Sequence, residues 1–360
     1  MGMSKGALSL ALLLGTVNAA CARAQAPAAP APAAEPAGSS AGAPAQVWRA
    51  KASRRFTGLV VTGETIYGGG MDRKVVAVDL ATGQQRWASR LGGIIGGGVV
   101  VAGDTVFAAT SRPEGKVSAL DGKTGRHVWR TTTGPVNAPL SLIGNILVAE
   151  NQKGEILGLD ARTGDVRWRR RLGVSRIPAV PGDSGSLIVA TVDSLFRINA
   201  SDGKVVRRAR SPGAVVSPWI RHGGLLVAGT TDSLVVGVDP DSLGARWQVL
   251  LDAPVLSSPG SMGDTVFAAS RRGSIYRITP APSSHAERVA ELDWPVTAPV
   301  TIMDGLLLLG GADGTLRALR TDGAEAWRLQ LRWPVELGVV LLQDGMLAVG
   351  GDGDLHRYSR

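Results

Sequence analysis

The chain has 360 residues, 44% of them hydrophobic and only 19% charged, with a mean hydropathy of +0.11, which excludes wholesale disorder. Its 48 glycines argue for many turns and against long helical bundles. The single cysteine, Cys21, excludes an internal disulfide and any multi-cysteine metal site, while nine of the few aromatic residues are tryptophan and the formal charge is +9.

The first element is an export signal. Lys5 precedes an apolar run over residues 7–17 and then small side chains, a pattern too short to cross a membrane. Two cleavage readings stand side by side. Cleavage after Ala22-Arg23-Ala24 would remove residues 1–24 and release a soluble periplasmic or secreted protein. Alternatively, Asn18-Ala19-Ala20-Cys21 resembles a bacterial lipobox, which would remove residues 1–20 and lipidate Cys21, although Asn18 stands where an aliphatic residue is expected. Residues 21–45 then form an Ala/Pro-rich tether: between residues 22 and 46 the sequence counts 12 alanines and five prolines, too little to bury a core. A tether directly after a lipid site is what an anchored globular domain requires.

Residues 46–360 are one repeat copied eight times. VAVDLATGQQRW at 76–87 recurs as SALDGKTGRHVW at 118–129 and LGLDARTGDVRW at 157–168. It weakens to FRINASDGKVVR at 196–207 and returns as VGVDPDSLGARW at 236–247. A degenerate copy starts at Tyr276, LRALRTDGAEAW at 316–327 is one residue short, and LHRYSR at 355–360 meets the C-terminus. The marker positions Asp79, Asp121, Asp160, Asn199, Asp239, Thr279, Arg320 and Tyr358 are 38 to 42 residues apart. Each copy contains about four short β-branched runs bounded by Gly, Asp and Ser, as in the twice-used GDTVFAA, and four antiparallel strands per copy describe a propeller blade. The expected fold is all-β: an eight-bladed propeller. The last copy lacks its Trp strand, whereas the folded part begins QVWRAK, so the N-terminal strand around Trp48 is expected to complete the C-terminal blade and remove both open edges.

Within the motif, the carboxylates of Asp79, Asp121, Asp160 and Asp239 can accept backbone N–H groups of the turn that follows. Gly83, Gly125 and Gly164 supply a positive φ. Trp48, Trp87, Trp129, Trp168, Trp247 and Trp327 share one position on the outer strand, where a flat ring can fill the wedge between blades. Being spread around the whole ring, they are scaffold and not a stacking platform. Trp294 and Trp333 share a second setting, Trp-Pro-Val ahead of an inner strand, and Trp219 has no evident place.

This A-x-D-x-x-T-G-x-x-x-W pattern resembles the tryptophan-docking repeat of PQQ-type eight-bladed propellers. The closing segment MLAVGGDGDLHRYSR, the length and the signal resemble the BamB family of outer-membrane protein assembly factors. The resemblance implies a non-enzymatic scaffold that faces the periplasm and binds envelope proteins, among them the barrel-assembly machinery, without a cofactor. In that family a Leu/Arg-bearing loop and an acidic loop entering the next blade touch the barrel-inserting partner. The matching segments are LGVSRIPAV at 172–180, with Arg176, and SPGAVVSPWI at 211–220, which has no acidic residue. The same repeat implies two other readings, a quinoprotein or small-ligand-binding propeller and an unrelated envelope interaction module. A quinoprotein would hold PQQ and calcium in its channel, beneath adjacent cysteines that this chain lacks. Asp352 and Asp354 are the closest acid pair for a calcium ion, and a polar turn explains them equally well. His127, His222, His285 and His356 show no metal spacing, so no catalytic or metal residue is expected.

Charge is the remaining signal. Between residues 167 and 210 ten basic residues face three acids. Arg167, Arg169, Arg170 and Arg171 surround Trp168, and Lys204, Arg207, Arg208 and Arg210 occupy the same part of the next copy. With Arg176 they are expected to form one basic band on the rim. Two roles stand equally: protection of edge strands, or docking of an acidic protein surface or anionic lipid headgroups. Nucleic acid is not an expected partner of an exported protein.

Overall fold

The computed structural model describes residues 42–111, 114–175, 177–280, 283–296 and 298–360. Cys21, the signal, most of the tether and Arg176 lie outside these residues.

The described residues form eight four-stranded antiparallel sheets arranged as an eight-bladed propeller, with no helix among them. Blade one shows the plan: Phe56–Thr62 innermost, then Thr65–Gly70, Lys74–Asp79, and Gln85–Arg90 outermost. The second and third strands are buried on both faces, which is why they read as near-continuous apolar runs such as KVVAVD. The outer strand alternates, with Trp87 inward and its neighbours in solvent.

The repeat motif is the joint between blades. Asp79 Oδ1 accepts the N–H groups of Ala81 (3.0 Å) and Thr82 (2.8 Å) and the Thr82 hydroxyl (2.9 Å). Gly83 closes this turn at φ +73°. On six of the eight blades a Trp of the outer strand then packs toward the next blade. Trp87 donates Nε1–H to Gly122 O (2.8 Å), and a Cβ added at Gly125 would stand 2.6 Å from its ring. Trp48, Trp129 and Trp168 repeat the bond to Leu80, Ala161 and Ala200. Small residues lie opposite five of the rings on their own blades, Ala77, Ala119, Gly158, Gly237 and Ala318, whereas Trp48 faces Arg357.

Blades four and six lack the Trp, and around blade four the neighbours change with it. Arg207 takes the Trp position and Arg197 stands opposite. In the turn of blade five Leu243 replaces the glycine, holding φ +58°, and is buried with Leu195 and Ala209 of blade four. The leucine fills the space that the ring occupies elsewhere. Arg197 reaches across to Asp241 of that turn at 2.7 Å.

Closure follows the sequence expectation. Gln46–Lys51 pairs with Asp354–Ser359 to give the order N-terminal strand, last strand, Gly345–Val349, Val339–Leu342. Arg49 Nε donates to the buried Asp354 carboxylate at 2.8 Å, and Lys51 pairs with Asp352 at 3.5 Å. Asp352 and Asp354 thus help to fasten the N-terminal strand to the last blade. Trp219 is buried in the core shared by blades four and five. The two Trp-Pro-Val copies differ: Trp294 is buried, whereas Trp333 is 39% exposed.

Candidate interaction face

Antiparallel blades give the ring two unlike ends. One carries the uniform Asp turns. The other carries the loops from one blade to the next and the hairpins between second and third strands, seven of which turn on a residue of positive φ: Arg73, Gly115, Gly154, Ser233, Gly273, Gly314 and Gly353.

The outer strands of blades three and four, Val166–Arg171 and Val205–Arg210, hold the basic residues as expected, yet much of that charge is engaged. Arg167 pairs with Asp160 at 2.7 Å, repeating Arg86–Asp79 and Arg246–Asp239 in the other motifs. Its guanidinium holds the Asp160 carboxyl down at about 2. Arg169 lies 3.7 Å from Glu155, and Lys204 is 3.2 Å from Asp202. Arg170 donates to Asp202 O at 2.9 Å, tying blade three to blade four. Arg208 lies 5.4 Å over the Phe196 ring and donates to Ser194 Oγ. Alternation along the strand puts Arg207 on the opposite face, toward blade five. Among the described residues Arg171, Arg207 and Arg210 have no ion-pair partner. Arg171 and Arg210 are the last residues of their strands, at the loop end.

There the strands run into residues 172–175 and 211–219, and these two segments flank one cleft. Its volume is about 220 Å³ and its walls include Val174, Ala190, Val192, Ala214, Val216 and Thr231. Val192 is 59% exposed and Val174 45%, so the cleft opens onto an apolar lip.

Beside it lies a group that the sequence reading passed over. Seven blades place Gly69, Ala109, Ala190, Gly229, Ala269, Gly310 and Val349 near the end of the second strand, opposite the second residue of the third. Blade three places Glu150 there, opposite Ile156. It is 4% exposed. Oε1 accepts the Ala179 N–H at 3.1 Å, Oε2 has no partner among the described residues, and burial raises the carboxyl to about 7. An alignment of the copies exposes this exception, but only once the strand register is known. Among the described residues no group of three or more His, Cys, Asp or Glu is placed to hold a metal ion.

The fold and the docked-tryptophan turn define a PQQ-type repeat propeller. The family model described as "Outer membrane protein assembly factor BamB" matches residues 40–177 and 152–284. The chain belongs to that family. It is 34% identical over 107 residues to the outer membrane protein assembly factor BamB of Burkholderia pseudomallei, a stretch covering 29% of this chain and 27% of that relative. The crystal structure of BamB from Moraxella catarrhalis superposes with a TM-score of 0.76 at 17% identity, covering 88% of this chain and 100% of that one. The computationally designed Ika8 protein gives 0.72 at 14% identity over 86% and 98%. The two structural likenesses concern the fold.

Proposed function

We propose that this chain is a non-enzymatic scaffold of outer-membrane β-barrel protein assembly that docks a protein partner on the loop end of blades three to five. It is exported, faces the periplasm, acts without a cofactor, and is attached to the outer membrane through lipidated Cys21. The observation that carries the docking site is the cleft between residues 172–175 and 211–219, with Val174 and Val192 exposed on its lip. Membership of the family supports the process. Arg171 and Arg210, at the strand ends feeding the two loops, would meet acidic groups around an apolar contact. Of the remaining basic residues, Arg167, Arg169, Lys204 and Arg208 are engaged within their own blades, and Arg170 ties blade three to blade four.

The test is affinity capture from detergent-solubilised envelope, with bound proteins identified by mass spectrometry. A barrel-assembly protein should co-purify with the wild type. It should be lost with Val174→Asp/Val192→Asp and reduced, more so at high salt, with Arg171→Glu/Arg210→Glu. Absence of any such protein, or dye-linked alcohol oxidation after loading with PQQ and calcium, would overturn the reading. Retention in the membrane of a Cys21→Ser variant would overturn the anchor alone.

A further inference from the structure

Glu150 borders a second cavity, of about 290 Å³, whose walls include Asn137, Ala138, Asn151, Val174 and Ser175. Val174 thus separates it from the docking cleft. An apolar cavity of about 150 Å³ already admits benzene, so this one has room for an organic side chain.

Most of its polar lining is spoken for. Asn151 Nδ2 donates to Thr133 O (2.9 Å) and to Glu155 (2.8 Å). Its Oδ1 accepts the N–H groups of Lys153 (2.9 Å) and Glu155 (3.1 Å). The Ser175 hydroxyl donates to Ile177 O at 2.8 Å. That hydroxyl also lies within reach of the Glu150 carboxyl, but turned to Ile177 O it leaves Glu150 Oε2 a buried acceptor with no partner among the described residues. A carboxylate oxygen can only accept while ionised, and leaving it unpaired is costly. The complement is an N–H donor, best a charged one. Ala138 and Val174 offer carbon surface on which an alkyl stem can lie.

We infer that this pocket is a recognition site for an alkylammonium group of the kind a lysine side chain carries, with Glu150 as counter-ion and Ala138 and Val174 flanking the methylenes. Its ligand is a cation, so it is distinct in chemistry from the apolar cleft and stands whether or not a barrel-assembly partner docks there. The groups facing Glu150 are uncharged: Ser175 and the Ala179 N–H from the following loop, Asn151 from its own hairpin, and Asn137 from the inner segment of its blade. Among the described residues no cation stands against Glu150 in this pocket. Because burial holds the carboxyl near 7, binding an ammonium must expel a proton at lower pH. Affinity therefore falls by up to about tenfold per pH unit below that point and levels off above it.

The experiment is a methyl NMR titration of the full chain, labelled at alanine and valine, with n-butylammonium chloride and, separately, N-acetyl-lysine N-methylamide. n-Butanol serves as the uncharged control. Saturable shifts of the Ala138 and Val174 methyls are expected with both ammonium probes and not with butanol. Glu150→Gln should weaken binding by about tenfold or more while its methyl spectrum remains dispersed. The wild-type pH series supplies the same check without any substitution. Equal shifts with butanol, an unchanged affinity in Glu150→Gln, or an affinity flat between pH 6 and about 8 would overturn the proposal. Binding of butylammonium without the capped lysine would overturn a protein side chain as the ligand's source.

Discussion

Rebuilding the missing tryptophan of blade four tests whether ring, turn and facing residue were exchanged as a set. The substitutions are Arg207→Trp, Leu243→Gly and Arg197→Ala, made singly and together. Leu243 is 1% exposed, so its removal alone costs about 2–5 kcal/mol. Roughly 1–2 kcal/mol of that returns because glycine adopts φ +58° without a Cβ penalty. Arg207→Trp alone finds its site filled by Leu243 and its facing position held by Arg197, leaving the ring on the surface with an effect within about 0.5 kcal/mol. Arg197→Ala loses a partly exposed ion pair to Asp241, worth up to about 1 kcal/mol. In the triple variant the ring can lie on the new glycine with its Nε1–H toward Pro240 O. That carbonyl follows Asp239 as Leu80 O follows Asp79. Burying the ring should recover about 1.5–3 kcal/mol, so the triple variant should be more stable than the sum of the singles by about 2 kcal/mol. Urea unfolding, followed by far-UV circular dichroism and compared at a common slope, measures each corner. Effects adding to within about 0.5 kcal/mol would refute the exchange.

Two further outcomes concern the joint and the closure. Arg86 holds the Asp79 carboxyl at about 2, down from 3.8, and Arg167 does the same for Asp160. Depressed folded values mean stability that is complete above the unfolded value and lost as pH falls from about 4 to about 2. The Asp79→Asn/Asp160→Asn variant should lose less between those limits in urea midpoints, and a slope equal to the wild type's would count against the turns as the acid-sensitive element. Deleting residues 46–54 should abolish cooperative melting, because it opens the ring and strands the Asp354 carboxylate, itself a loss of roughly 3–5 kcal/mol. Deleting residues 22–41 should leave Tm unchanged in scanning calorimetry, and equal Tm values for the two deletions would refute closure by the N-terminal strand.

The blade number, the closure and the docked tryptophans were legible because one marker recurs with a nearly constant period and because each marker is a local hydrogen-bonded turn. The pairing state of the arginines was half legible. Arg167 stands seven residues after Asp160, as Arg86 does after Asp79 and Arg246 after Asp239, so that pair belongs to the motif. Arg170 could not be assigned in the same way, since its acceptor, Asp202 O, is set by how blade four stacks on blade three. The twin Trp-Pro-Val segments mislead for the same reason. Trp294 is buried above Gly311, where an added Cβ would come within 2.9 Å of its ring, while Trp333 remains partly in solvent. Glu150 lies outside the motif, on a strand whose length varies from copy to copy, so its column exists only after the register is fixed.

The uneven charge, the strongest functional signal in the sequence, takes a narrower meaning once pairing is counted. The stretch from 167 to 210 carries ten basic residues and three acids, an excess of seven. Three acids from outside it, Asp160, Glu155 and Asp241, pair into it, which reduces seven to four. Arg170 and Arg208 keep their charge but are held in the seam between two blades by Asp202 O, Ser194 and Phe196. Among the described residues the charges without an ion pair at the cleft are Arg171, which stands across the strand pair from Glu155, and Arg210, with Arg207 on the neighbouring face. Exposed charges act over a Debye length of about 8 Å in physiological salt, enough to guide an approach and too little to hold a complex by themselves. Holding falls to the apolar cleft and its exposed valines. Both features sit at the end of the ring that carries the blade-to-blade loops, while the Asp turns at the other end are occupied with joining blade to blade.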